Sequence, residues 1–224
     1  MDTKKLDNPA WHSLNETHRS FAIGENEIKF YQPEICPFGG IHSKQPDLIS
    51  FLKDHPQLNS FFIIGDKPQE APDLIIEKEL VCLQMICSAP IKIEFTESII
   101  HVKETYKKQL ADLVNLVQPG YFKPGTSLMG DYYGVLKNDQ LVAVTGERMK
   151  MYGLTEISAV VTHPDFTGKG FAKQLVAHAV NNNFEENIVP YLHVAETNIN
   201  AIKLYERLGF TTRRKISFWK MKKL

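Results

Sequence analysis

A chain of 224 residues is long enough to bury one large core or two small ones. Hydrophobic residues make up 43% and charged residues 23%, the usual balance for a globular protein, and 26 Lys and Arg offset 26 Asp and Glu. That neutrality argues against a nucleic-acid binder driven by bulk charge, and no apolar run approaches the length that spans a bilayer. Cys36, Cys82 and Cys87 show no Cys-x-x-Cys or Cys/His metal spacing. They read as reduced, partly buried thiols, and the polar opening residues hold no signal-peptide core. The expectation is a cytoplasmic protein with no metal, nucleic acid or membrane partner.

In chain order, Asn8 caps and Pro9 opens a first helix, with Trp11, Leu14, His18, Phe21 and Ala22 near one face. Ile28 and Phe30 suggest a short strand. Pro33 to Gly40 reads as loop, and residues 46–54 as helix from Pro46. Ser60 to Ile64 is an apolar strand. Leu80 to Ile86 is a strand or buried segment, and Ile91, Ile93 and Phe95 alternate after it. Nothing in residues 1–100 resembles a helix-opening glycine loop. This region is expected to dock on, or cover the substrate of, a catalytic region over 103–224.

The second region is more regular. Thr105 to Val117 is a helix ended by Pro119-Gly120. Tyr132–Leu136 and Leu141–Val144 are strands joined by an Asn138-Asp139 turn. Glu156–Thr162 is a strand, Gly168–Asn183 a helix, 190–195 a strand, 198–208 a helix and 211–219 a strand. The order predicts a mixed α+β fold, a mostly antiparallel sheet with helices on both faces. The basic end (Arg213, Arg214, Lys215, Lys220, Lys222, Lys223) reads as a solvated edge strand.

Two motifs carry chemistry. The apolar strand Val160-Val161-Thr162 runs through a Pro-containing turn into Gly168-Lys169-Gly170 and a helix start at Phe171 and Ala172. Free amides and the dipole of a helix N-terminus favour a phosphate, and glycines admit it to the backbone. The P-loop and three-glycine dinucleotide patterns both fail here. About thirty residues on comes Asn198-x-x-Ala201-x-x-Leu204-Tyr205-x-x-x-Gly209-Phe210. Asn198 suits a helix N-cap and Gly209 a helix C-terminus.

In this order, the two motifs resemble the GNAT superfamily of N-acetyltransferases. Pro119-Gly120-Tyr121-Phe122, Gly130-Asp131-Tyr132-Tyr133-Gly134, Gly146-Glu147-Arg148-Met149 and Thr155-Glu156-Ile157-Ser158 resemble a branch with an extra N-terminal region. In that branch the region can be a degenerate copy of the fold. The resemblance implies acetyl-CoA as co-substrate. Amides of Gly168, Lys169, Gly170, Phe171 and Ala172 would face the pyrophosphate. Val160, Val161 and Thr162 would bond the pantetheine arm and polarise the thioester, and Asn198 would anchor the arm from the other side. The superfamily usually has Arg or Gln where this chain has Thr167; Lys169 offers a positive charge beside it.

Acetyl transfer also needs an acid for the leaving thiolate and an acceptor for the amine proton. Tyr205 is the candidate acid. Glu156 and His193 are the candidate bases. By strand alternation Glu156, Ser158 and Val160 share one face, so Glu156 would look along the cleft, and a neutral imidazole titrates near pH 7. A water relay, or an amine deprotonated in solution, is the remaining route. His163 reads as structural. Two other functions stay open, a non-catalytic acyl-CoA sensor and a nucleotide-binding module. The acceptor is a small-molecule amine or a peptide; an amino acid, a polyamine, an antibiotic and a protein N-terminus all remain, as does homodimerisation.

Overall fold

The computed structural model describes residues 3–42 and 46–224. Its helices are α1 (Pro9–Asn15), α2 (Leu48–Asp54), α3 (Lys107–Val117), α4 (Phe171–Glu185) and α5 (Ile199–Arg207). Its strands are β1 (Ala22–Ile23), β2 (Ile28–Tyr31), β3 (Phe38–Ile41), β4 (Ser60–Ile64), β5 (Leu74–Cys87), β6 (Ile99–His101), β7 (Tyr132–Lys137), β8 (Gln140–Met151), β9 (Leu154–Thr162), β10 (Val189–Ala195) and β11 (Phe210–Lys223). They form one 11-stranded sheet in the order β1-β2-β3-β4-β11-β5-β10-β9-β8-β7-β6. Among the described residues only β3–β4 and β9–β10 pair in parallel. The fold is mixed α+β, as the sequence predicts. No helix among the described residues is long and apolar enough to cross a membrane.

The two regions exchange strands. β5, from the first region, lies between β10 and β11; β11, from the second, lies between β4 and β5. β5 and β11 pair antiparallel from Phe210↔Cys87 to Lys223↔Leu74. The flanking topology repeats: β2–β3 antiparallel then β3–α2–β4 parallel, and β8–β9 antiparallel then β9–α4–β10 parallel.

Strand exchange overturns the edge-strand expectation for the basic end. β11 is central, with Ile216, Phe218 and Met221 buried. Its charges project outward into ion pairs, Arg213 and Arg214 with Asp7, Lys215 with Glu196 and Lys220 with Glu77. Ile91, Ile93 and Phe95 alternate but join no strand. Asn181 takes the place of a ladder partner: its Oδ1 accepts from the Ile91 amide at 2.7 Å, and its Nδ2 donates to the Ile91 carbonyl at 3.0 Å.

Part of the expected Pro33–Gly40 loop is strand β3. Gly39 lies flat on the Phe30 ring, where a Cβ would come within 2.3 Å of the ring, so glycine here marks close packing and not a turn. The first helix stops at Asn15, because His18 turns inward. Its Nε2 donates to the Met129 carbonyl (2.9 Å), and its Nδ1 lies 3.0 Å from the Tyr31 hydroxyl. Asn8 precedes α1 without capping it; its Nδ2 instead donates to the Ile41 carbonyl.

Helices cover both faces. Ile157 of β9 packs in the cluster that holds α4, whereas Val161 packs with Leu110, Leu113 and Val114 of α3. Residues four apart on a regular strand share a face. The register shift against β8 and the left-handed Ala159 (φ 49°) between them form a bulge that reverses the alternation.

Candidate acyl-transfer site

β9 and β10 pair only over Leu154–Glu156 and Val189–Tyr191, then diverge. A cleft of about 360 Å³ opens in the splay. Ser158, Ala159 and Val160 line it from β9, and His193, Val194 and Ala195 from β10. Asn198, Ala201 and Tyr205 close it from α5. The N-terminal region adds Cys36, Phe38, Leu80 and Cys82, and Phe218 comes from β11.

The bulge corrects the expectation that Glu156, Ser158 and Val160 share one face. Val160 packs toward the α4 cluster. Glu156 lies on the other side of the reversal, where Arg148 holds it. Arg148 Nε and Nη2 donate to Glu156 Oε2 and Oε1, 2.7 Å each. His193 Nδ1 is also 2.7 Å from Glu156 Oε1. Burial alone would raise the Glu156 pKa; the charge and hydrogen bonds of Arg148, with His193, hold it down to about 2. The base role required the opposite shift. A carboxylate so well paired at the vertex of the splay is a poor proton acceptor.

His193 is engaged at both ring nitrogens. Gln84 Nε2 lies 2.9 Å from His193 Nε2 and also donates to the Leu6 carbonyl at 2.7 Å, while Gln84 Oε1 accepts from Arg213. These bonds fix the amide orientation, so His193 Nε2 accepts and Nδ1–H donates to Glu156. The line Arg148–Glu156–His193–Gln84–Arg213–Asp7, buried at its centre and exposed at Asp7, ties the two regions together. The sequence gives no sign of Gln84 in this line, because it comes from a strand more than a hundred residues away in the chain.

Tyr205 lines the cleft, and its hydroxyl has no hydrogen-bond partner among the described residues. Burial pushes its pKa up to about 12, so it stays protonated. Asn198 caps α5, its Oδ1 accepting from the Ala201 amide at 3.2 Å, and also lines the cleft. Cys36 and Cys82 have pKa values raised to about 12 by burial and stay as thiols.

A family model described as "FR47-like protein" matches residues 132–219. A GNAT-family protein of Novosphingobium aromaticivorans, proposed to be an acetyltransferase, is similar over 98% of each chain, at 27% identity and a TM-score of 0.86. The chain matches the FR47-like family over residues 132–219, and its fold is that of GNAT-family proteins. A GCN5-related N-acetyltransferase-like protein of Streptococcus suis shares the fold at 13% identity, over 98% of this chain and 96% of that one (TM-score 0.66). A GCN5-related N-acetyltransferase of Kribbella flavida shares it at 12% identity, over 96% and 93% (TM-score 0.63). No curated protein matches. The similarity supports acyl transfer as the general chemistry.

The glycine loop of this GNAT-like fold follows β9 through a short turn. His163 accepts from the Asp165 amide there, and Thr167 Oγ1 donates to the Pro164 carbonyl. Gly168 and Gly170 both sit at φ 77°, where other residues are strained. Cβ atoms built on them would meet nothing within 4 Å. The first-turn amides of Phe171, Ala172 and Lys173 have no intrahelical acceptors, and no side chain among the described residues caps α4. Lys169 Nζ lies over the Phe166 ring, 4.8 Å from its centroid. Val161 is buried in the core and Thr162 pairs with Ala143 of β8; Val160 is the member of the predicted trio that lines the cleft.

Proposed function

We propose that this protein is an acetyl-CoA-dependent N-acetyltransferase that moves the acetyl group directly to an amine in a ternary complex. The observation that carries this reading is the unpartnered, protonated Tyr205 hydroxyl in the cleft between splayed β9 and β10. The uncapped α4 amides behind Gly168 and Gly170 suit a pyrophosphate, and the Cβ-free approach leaves it room. Val160 and its bulged neighbours would face the pantetheine arm, with Asn198 opposite. In the transfer, the amine nitrogen bonds to the acetyl carbon and the C–S bond breaks. The electron pair goes to sulfur, and Tyr205 supplies its proton.

Of the two base candidates, Glu156 is held by Arg148 and His193 is held by Glu156 and Gln84. We infer that the amine proton leaves to water, and that Glu156 and His193 act as positioning residues. The cysteines of the cleft stay protonated, which favours direct transfer over an acyl-enzyme. Residues 103–224 would carry the chemistry. Residues 1–100 would be a degenerate copy of the fold that covers the acceptor side, a reading the repeated β-β-α-β topology supports. Three unpaired, buried cysteines accord with a reducing compartment such as the cytoplasm.

The test is release of free CoA thiol from acetyl-CoA across an amine panel, with acetylated product followed by mass. Turnover that needs the amine supports the enzyme. Tight CoA binding without turnover of any amine would leave the non-catalytic sensor.

A further inference from the structure

The acceptor end of the cleft has a sharper chemistry than its neutral chain suggests. Its walls are Phe38, Tyr121, Phe122, Tyr132 and Phe218, an aromatic enclosure. Among the described residues that line the cleft, none is Asp or Glu. Glu156 sits behind Arg148 with 1% of its side chain exposed. An ammonium group therefore meets no carboxylate here, and the second charge of a polyamine finds only ring faces beside the Arg148 guanidinium.

The cation of this wall is Arg148, stacked 4.6 Å from the Phe38 ring centroid. Glu156 uses its Nε and Nη2. Nη1 makes no hydrogen bond to the protein among the described residues, and 17% of the side chain stays exposed. Glu156 fixes the guanidinium plane, so the remaining N–H donors are preorganised and not fully satisfied. An anion is the partner a guanidinium edge of this kind selects.

We propose that the acceptor is a small amine with an apolar or aromatic body and a carboxylate, the chemistry of an apolar α-amino acid, and that the open edge of Arg148 binds the carboxylate. This rests on the N-acetyltransferase reading above. The cleft volume, near the low end for ligand sites, must also hold the thioester end, which leaves room for a residue-sized acceptor. The Arg148 charge disfavours the ammonium form of the substrate, in keeping with an amine that attacks as the free base.

The experiment uses the full chain, acetyl-CoA and matched acceptors: phenylalanine with phenethylamine, leucine with isoamylamine, and spermidine. The carboxylate should raise kcat/KM by about 10- to 100-fold, the range for hydrogen bonds to charged groups. Spermidine should not be used. Arg148→Lys should lose the carboxylate preference. Because that variant also disturbs Glu156, Tyr121→Ala is the second: Tyr121 is 38% exposed, and its loss should weaken aromatic preference while the carboxylate preference persists. Binding is read separately by the melting shift with N-acetylphenylalanine and N-acetylphenethylamine, CoA present. Transfer to amines with no carboxylate preference overturns this inference and leaves the enzyme reading intact. Arg148-dependent binding of N-acetylphenylalanine without any transfer does the reverse. Neither binding nor transfer overturns both.

Discussion

Glu156 makes three short hydrogen bonds to two cationic or neutral donors, and its environment decides its chemistry more than its position does. Its residue type suits a base; Arg148 makes it a counter-ion. Tyr205 is the opposite case, a phenol whose surroundings take nothing from it. Tyr205→Phe should lower turnover by about 10- to 100-fold with acetyl-CoA binding little changed, since a thiolate leaves readily and needs only the low end of general-acid assistance. Wild-type turnover in that variant, with chemistry rate-limiting, would reject the acid role.

His18 offers a second residue-scale prediction. Burial lowers its pKa from 6.5 to about 4, with the Met129 carbonyl opposing. The unfolded chain therefore binds the extra proton first as pH falls. The stability His18 contributes is full above pH 6.5 and is lost as pH falls toward 4. Glu156, lowered from 4.5 to about 2, contributes stability above pH 4.5 that is lost between 4.5 and 2. Melting temperature should thus fall in two windows. His18→Gln should flatten the upper window and spare the lower; equal slopes in both proteins between pH 6.5 and 4 would refute this.

At the scale of elements, the start of α4 is the most legible part of the chain. Gly168 and Gly170 announce a left-handed turn before a helix, and the structure has both. Gly170→Asp should abolish the expected rise in melting temperature with CoA, because it sets a negative charge at the amides proposed to hold the pyrophosphate. Gly170→Asn tolerates the same backbone without the charge, so it should keep more of the shift. Equal CoA affinity in wild type and Gly170→Asp would remove the phosphate role. The Asn138-Asp139 turn was equally plain, both residues taking positive φ. The bulge at Ala159 was not, since no Gly or Pro marks it; it depends on how β8 and β9 register. That one hidden residue turned Glu156 away from Val160.

The whole molecule is organised by the exchange of β5 and β11. Separate two-region folding is hard to reconcile with a sheet in which each region's last strand is central to the other. The full chain should unfold in one cooperative transition, with far-UV signal and the fluorescence of Trp11 and Trp219 changing together. Residues 103–224 expressed alone lack the β5 partner of β10 and β11 and should be unfolded or aggregated. Two resolved transitions, or a folded soluble 103–224 fragment, would show that the exchange is dispensable.

The sequence by itself determined the elements of the second region and the glycine loop and Asn–Tyr segment proposed here to bind the co-substrate. Apolar periodicity, capping residues and positive-φ glycines are local, and a few neighbours suffice to express them. The cleft wall proposed as the acceptor side was decided by the tertiary structure. Phe38, Arg148, Phe218 and the line from Glu156 to Asp7 come from segments far apart in the chain, and only strand pairing brings them together. The fate of the basic end was decided the same way: lysines along β11 look alike at an edge or a centre, and the strand beside it settles which.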